Sequence, residues 1–169
     1  MGHRPKDKLA GEHRLGDIGQ LTFYGLFMAF WLSDMFLGYS NSLNAYIPSA
    51  IRLPLGVLLL VVAGAMAASG MMIVYGKKNR PQGVIRKGVF RFVRHPIYVS
   101  EIIMYTGLLT LHISLAATLV FVIAIFFLYH ISRCEEKLLL AKFGDEYRRY
   151  MEDVPMGFPR PKPSWAAVK

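Results

Sequence analysis

Four apolar stretches divide the chain, separated by polar and mostly basic segments. The first runs from Leu21 to about Gly38 and carries one acid, Asp34, near its end. The second runs from Leu55 to Tyr75 and contains no charge. At a helical rise of about 1.5 Å per residue, each is long enough to cross a hydrocarbon layer of about 30 Å. The third and fourth share Ile97 to His130. As one straight helix that stretch would measure about 50 Å, too long for one crossing. Split near Leu111, His112, Ile113 and Ser114, it becomes a tight helical hairpin. The fourth helix gains length by running on through Glu135 and Leu140 to Phe143, with Gly144 as its C-cap.

The predicted fold class is all-α: a polytopic membrane protein with four transmembrane helices, helices 3 and 4 forming the hairpin. A cytoplasmic loop and a C-terminal helical segment complete it. Residues 1–169 read as one integral membrane domain. Within it, 1–20 form a cytoplasmic N-terminal segment, and 76–98 and 133–160 are two polar segments on one face. The tail from Val154 (VPMGFPRPKP) is Pro-rich and reads as an extended strip lying back on the protein.

Charge tests this layout. Four Lys and Arg precede Leu21, seven lie between Gly76 and Arg94, and eight lie from Arg133 onward. Only Arg52 falls on the other side. Four crossings put the N-terminus, the basic middle loop and the basic tail on one face, which the positive-inside rule makes cytoplasmic. Three crossings would separate the loop from the tail. The composition agrees: 54% hydrophobic residues and mean hydropathy +0.35 in 169 residues, with net charge +9. A soluble domain of this size has too little interior to hide that much apolar surface.

The basic balance follows the topology and suits anionic membrane lipids. No nucleic-acid module accompanies it, so nucleic acid is not an expected partner. The single cysteine, Cys134, excludes an internal disulfide framework and a Cys-rich zinc site, and it reads as a space-filling residue. The first 20 residues are polar and lack an apolar signal-peptide core. The compact size points to the inner or plasma membrane of a prokaryote.

Two polar segments carry candidate chemistry. The first is QGVIRKGVFRFVRHPIY, Gln82 to Tyr98. Pro96 suits the first turn of the third helix. That places Arg94 and His95 at a helix N-terminus, where backbone N–H groups and the dipole favour an anion. Arg94 can equally reach lipid phosphate, and His95 can cap the helix. Gly83 and Gly88 permit a tight backbone or a close ligand approach. The second segment is RCEEKLLLAKFGDEY, Arg133 to Tyr147. Its Glu135 and Glu136 need partners at a membrane edge. Those partners are either ligand hydroxyls and a sulfonium cation or the basic loop. Tyr147 and Tyr150 read as packing residues. Glu101 shares a face with Tyr98 inside the third helix. It can hold a polar substrate group, act as a base, or pair with an Arg of the loop. Asp34 and His112 read as interfacial, at the opposite end.

In order along the chain come GVF at Gly88–Phe90, RHPIY at Arg94–Tyr98, EE at Glu135–Glu136, FGDEY at Phe143–Tyr147 and VPMGFP at Val154–Pro159. Together these resemble the isoprenylcysteine carboxyl methyltransferase family, which is similar to the phosphatidylethanolamine N-methyltransferases. The resemblance covers roughly Gly76 to Pro159. It implies a helical membrane enzyme that binds S-adenosyl-L-methionine at the cytosolic edge. The cofactor positions it implies are Gln82, Gly83, Val84, Ile85, Phe90, His95, Pro96, Ile97, Tyr98 and Glu135. Gly88, Arg94 and Glu136 accompany them in the same motifs. The family usually has His at Gln82 and Tyr at Phe90. It also ties to substrate an Arg four residues before the first Glu, where this chain has Ile131. The nearest arginine is Arg133, a catalytic candidate beside Glu101, and the difference argues against a prenylcysteine carboxylate.

The expected function is therefore S-adenosylmethionine-dependent methyl transfer to a lipid or small lipophilic substrate at the cytoplasmic membrane face, with no metal. The alternatives are an NADPH-dependent membrane reductase of the sterol reductase type and a non-catalytic membrane scaffold.

Overall fold

A computed structural model of the protein describes residues 14–76 and 83–157, the first two through their backbone alone. The described residues form five helices and no strand: α1 (Arg14–Leu37), α2 (Ser49–Tyr75), α3 (Pro96–Leu111), α4 (Leu115–Phe143) and α5 (Asp145–Asp153). Two 3-10 turns, Ser42–Ala45 and Gly88–Arg91, punctuate the connections. α3 and α4 meet in the expected hairpin, and Gly144 ends α4 with φ of 52°.

Two of these helices, α2 and α4, are long and apolar enough to cross a membrane. α3 is apolar but only 16 residues long, about 24 Å of helix. α1 starts a full two turns before its apolar stretch. Those turns carry Asp17 and Gln20, which face a cavity rather than lipid. α2 also starts early, at Ser49, and Pro54 does not stop it. On α2, Leu53, Val57, Leu58 and Val61 are all more than half exposed. An exposed apolar surface of this extent belongs in lipid.

α1 packs on α4 and α2 packs on α3, while α1 and α2 barely touch. Small residues make the α2–α3 contact. Gly56, Ala63 and Gly70 recur every seventh position and are buried. A Cβ at Gly107 of α3 would stand 3.1 Å from the Leu60 side chain and 3.2 Å from the Gly56 carbonyl oxygen. In lipid, where hydrophobicity cannot drive helices together, close backbone approach through small residues is what holds them. A second cluster, Phe27, Trp31, Tyr105, Ala117 and Ala124, joins α1 to α3 and α4. The Trp31 indole donates to the carbonyls of Leu108 and His112, both at 3.0 Å.

The end of the bundle away from the basic loop is closed by polar side chains. Asn44 donates to the Ile113 carbonyl at 2.8 Å, and its own oxygen accepts from Ile113 N–H at 2.9 Å. Arg52 donates to that same oxygen and, at 3.0 Å, to the Leu111 carbonyl. These contacts satisfy groups that the end of α3 leaves unpaired. Asp34, expected at the interface, is instead fully buried, because the loop after α1 folds over it. Its carboxylate accepts from Ser40 N–H at 2.6 Å and lies 3.7 Å from His112 Nε2.

If small residues hold α2 to α3, Gly107→Leu should cost about 1–3 kcal/mol of stability by overpacking. The readout is the melting temperature in detergent. Gly25→Leu, where an added Cβ meets nothing, should leave it unchanged.

Candidate functional site

The site is built where α2 ends and α3 begins. Gly88 has φ of 59°, a left-handed conformation that strains other residues, and a Cβ there would also press on the Ile73 side chain, so glycine favours the loop folding back against α2. Pro96 is the first residue of α3 and His95 its N-cap. The His95 side chain makes no capping hydrogen bond. The backbone N–H groups of Arg94 and His95 instead donate to the carbonyls of Pro155 and Met156 at 3.0 and 3.2 Å. The extended tail expected from Val154 onward is thus pinned on the start of α3, as far as Gly157. Phe158 and Pro159 lie outside the described residues.

Charged residues lock this junction to α4. Glu136 is 2% exposed. Arg94 Nε lies 2.9 Å from Glu136 Oε1. That contact is ionic rather than a well-aligned hydrogen bond, and Glu136 Oε2 has no hydrogen-bond partner. Arg94 Nη1 donates to the Met151 carbonyl at 3.0 Å. The His95 ring stands between the two acids, its Nε2 3.4 Å from Glu136 and its Nδ1 3.6 Å from Glu135. It also stacks on Tyr98 at 5.5 Å between centroids. The Tyr98 hydroxyl donates to Glu135 Oε1 at 2.5 Å. Adjacent acids thus take different tasks. Glu136 neutralises Arg94, while Glu135 is oriented by a phenol and an imidazole.

α5 folds over the junction. Tyr147, Tyr150 and Val154 form its buried face, and the Tyr150 hydroxyl donates to the Phe90 carbonyl at 2.6 Å. Burial, the largest cause, pushes both phenols up, Tyr150 to about 12. Glu146 accepts from Val84 N–H at 3.2 Å, and Arg86 donates to the Glu146 carbonyl at 2.8 Å. These bonds tie the loop after α2 to α5.

Between these pieces lies a cavity of about 260 Å³. Gly83, Val84, Ile85, Phe90, Arg94, His95, Pro96, Ile97, Tyr98 and Glu135 all line it. Gln82 lies outside the described residues. Gly88 and Glu136 do not line the cavity; they shape the loop and anchor Arg94. Sequence reasoning missed Asp17, Gln20, Val74, Tyr75, Leu139 and Phe143, which also line it. It read Tyr147 and Tyr150 as packing, and they are both packing and wall. Asp17 and Gln20, three apart on one helix face just before an apolar run, were a signal in plain view.

A second cleft of about 530 Å³ opens between α1 and α2 over α3. Asp17, Gln20 and Ile97 line both spaces. Glu101 faces this cleft. It accepts from Gln20 at 3.1 Å and from the Tyr105 hydroxyl at 2.8 Å, so these groups, not a loop arginine, are its partners. Ile131 is buried, in reach of Gly16 on α1. Arg133 is exposed and lines neither space. Among the described residues no three His, Cys, Asp or Glu gather to hold a metal ion.

Fold and site define a helical membrane protein with a cavity at its basic edge and a largely apolar cleft beside it. The phospholipid methyltransferase family model matches residues 51–146, and the chain belongs to that family. It is 34% identical over 102 residues to the protein-S-isoprenylcysteine O-methyltransferase of Schizosaccharomyces pombe, a match covering 57% of this chain and 43% of that protein. It is 27% identical over 158 residues to the cobalt-zinc-cadmium resistance protein CzcN of Cupriavidus metallidurans, covering 93% of this chain and 68% of that one. The chain thus spans less than half the length of the yeast relative. No solved structure matches it significantly. This membership does not favour the reductase alternative.

Two outcomes follow from the junction. Glu136→Ala leaves Arg94 buried without its counter-charge and should cost about 3–5 kcal/mol, seen as a lower melting temperature. Replacing both partners with apolar residues should recover much of the loss. The second outcome concerns pH. The ordinary phenol value is 10.0, and Tyr150 sits near 12 in the folded protein. A raised folded value gives stability that is complete below the unfolded value and lost as pH rises through the folded one. Melting temperature should therefore hold up to about pH 10 and fall towards pH 12, less steeply in Tyr150→Phe.

Proposed function

We propose that the protein is an S-adenosyl-L-methionine-dependent methyltransferase acting on a lipid or small lipophilic acceptor at the cytoplasmic face of a membrane. The cofactor occupies the cavity under α5, and the acceptor enters the cleft between α1 and α2. The observation that carries this reading is the meeting of the two spaces at Asp17, Gln20 and Ile97. Methyl transfer requires donor and acceptor to be held in line across such a junction.

The residues present fit the cofactor. Asp17 and Glu135 supply negative charge suited to a sulfonium. Val84, Ile85, Phe90, Leu139 and Phe143 offer apolar walls for a planar base. The N-terminal end of α3 offers positive potential to a carboxylate. Bound there, S-adenosylmethionine supplies an electrophilic methyl group. Tyr98 and His95 hold the Glu135 carboxylate in one orientation. α5 and the tail exclude water from above. Glu101 stands within the cleft as an acceptor of the proton that an amine must lose before it can attack.

Four crossings suit the arrangement. α1 and α3 are then the shorter spans, and the loop after α2, with Arg86, Lys87 and Arg91, faces the cytoplasm together with the end of α4, with Lys137 and Lys142. Arg52 stands at the opposite end. The yeast relative is named for a lipid-modified cysteine substrate. Here Ile131 stands where that kind of enzyme places an arginine, so a prenylcysteine carboxylate is not the acceptor we propose.

Isothermal titration of purified protein with S-adenosylhomocysteine tests the cofactor site. Micromolar binding is expected, weakened about tenfold or more in Glu135→Ala. Binding of NADPH instead, or of neither, would overturn the reading in favour of a reductase or a scaffold. For the cleft, Gly64→Phe places a ring where an added Cβ meets nothing. It should keep S-adenosylhomocysteine affinity yet lose most incorporation of labelled methyl into a membrane lipid extract.

A further inference from the structure

Arg133 reads from the sequence as a catalytic candidate, yet it lines neither the cavity nor the cleft. It belongs to another surface. Leu119, Val122, Phe126, Tyr129, Arg133 and Lys137 follow one another three or four positions apart along α4, and all are exposed. That spacing puts them on one face of the helix. The face changes chemistry along its length: apolar chains first, then a phenol, then two cations. α4 is long and apolar enough to cross a membrane. Counted from Leu115, where it begins, a hydrocarbon core of about 30 Å takes up about twenty residues. Arg133 then stands at the edge of the core. Lys137 stands about 6 Å farther out, at the depth of lipid headgroups. Tyr129 lies one turn inside Arg133, at the level where amphipathic rings collect.

Basic residues at a membrane edge are common. What sets these two apart is their surroundings. The acids of the same turns point elsewhere: Glu136 is buried against Arg94, and Glu135 lines the cavity. Among the described residues neither Arg133 nor Lys137 forms an ion pair. Two long side chains one turn apart can reach along the helix and close on a single phosphate with charge-assisted hydrogen bonds. The apolar part of the same face then runs on beneath that phosphate, where an acyl chain would lie. We propose that this face of α4 is a docking site for one anionic phospholipid, its phosphate between Arg133 and Lys137 and a chain along Phe126, Val122 and Leu119. A lipid held there is not the methyl acceptor, because the face opens onto neither space. A zwitterionic lipid fits less well, since its own cation is repelled by the two on the helix.

The test titrates the full-length protein, in a neutral detergent, with phosphatidylglycerol or with phosphatidylcholine carrying the same chains. Affinity is read from the shift in melting temperature with lipid concentration. The wild-type protein should bind phosphatidylglycerol about tenfold or more tighter. Arg133→Gln combined with Lys137→Gln should bring that ratio close to one. Both side chains are exposed, so the melting temperature without lipid should not move. Arg148→Gln combined with Arg149→Gln removes the same charge from the exposed side of α5 and should leave the ratio in place. Exchanging the two cations, Arg133→Lys with Lys137→Arg, should keep most of it. Equal binding of the two lipids by the wild-type protein overturns the proposal without recourse to any variant. So does a preference that survives loss of both α4 cations, or one that the α5 pair removes equally well. Inorganic phosphate that stabilises the wild-type protein as much as phosphatidylglycerol does would also overturn it, leaving a site for a free anion.

Discussion

Everything at the basic edge depends on how the two acids of α4 are matched. Glu135 and Glu136 leave the membrane side by side, where unpaired charge is expensive. Arg94 answers Glu136 at 2.9 Å, Tyr98 answers Glu135 at 2.5 Å, and His95 stands between them. These three partners are supplied by the first residues of α3 and the one loop that precedes it. Matching the acids therefore fixes where α3 starts relative to α4. It also fixes where the tail can dock, since Arg94 and His95 offer their backbone N–H groups to Pro155 and Met156. The cavity is the space left when loop, helix start and α5 close around that junction.

The rest of the bundle sets up the cleft beside it. Glycines let α2 lie close on α3, and aromatic packing binds α1 to α4 and α3. Since α1 and α2 follow different partners, a gap remains between them, and it opens towards lipid. At the far end Asn44, Arg52 and Trp31 satisfy carbonyls of the α3–α4 turn, so the gap is confined to the half nearest the basic edge. The cavity at the basic edge and the cleft between α1 and α2 then meet at Asp17 and Gln20. That meeting is what a methyl transfer between a soluble donor and a membrane-borne acceptor requires.

Much of this was legible in the sequence. The hairpin break at Leu111–Ser114, the long α4 ending at Gly144 and Pro96 at the head of α3 were read from length, glycine and proline. Of the candidate residues named between Gly83 and Tyr98, all but Gly88 line one cavity, and Glu135 joins them. What escaped is instructive. The start of α1 was hidden because apolar content marks spans, and Asp17 and Gln20 are polar residues that face a cavity instead of lipid. Asp34 looked interfacial because burial depends on a loop that folds over it, and no local pattern announces that. Glu136 looked like its neighbour. Only the three-dimensional position of Arg94 shows that one acid is spent on structure and the other turned to the cavity.

The central claim is that two segments distant in sequence close on one cofactor. Hydrogen exchange of the full-length protein, with and without S-adenosylhomocysteine, tests it most directly. The account predicts slower exchange confined to residues 83–98, 135–157 and the first turns of α1, with α2 between Arg52 and Ala67 unchanged. Protection centred elsewhere in the bundle, or none at saturating ligand, would contradict it.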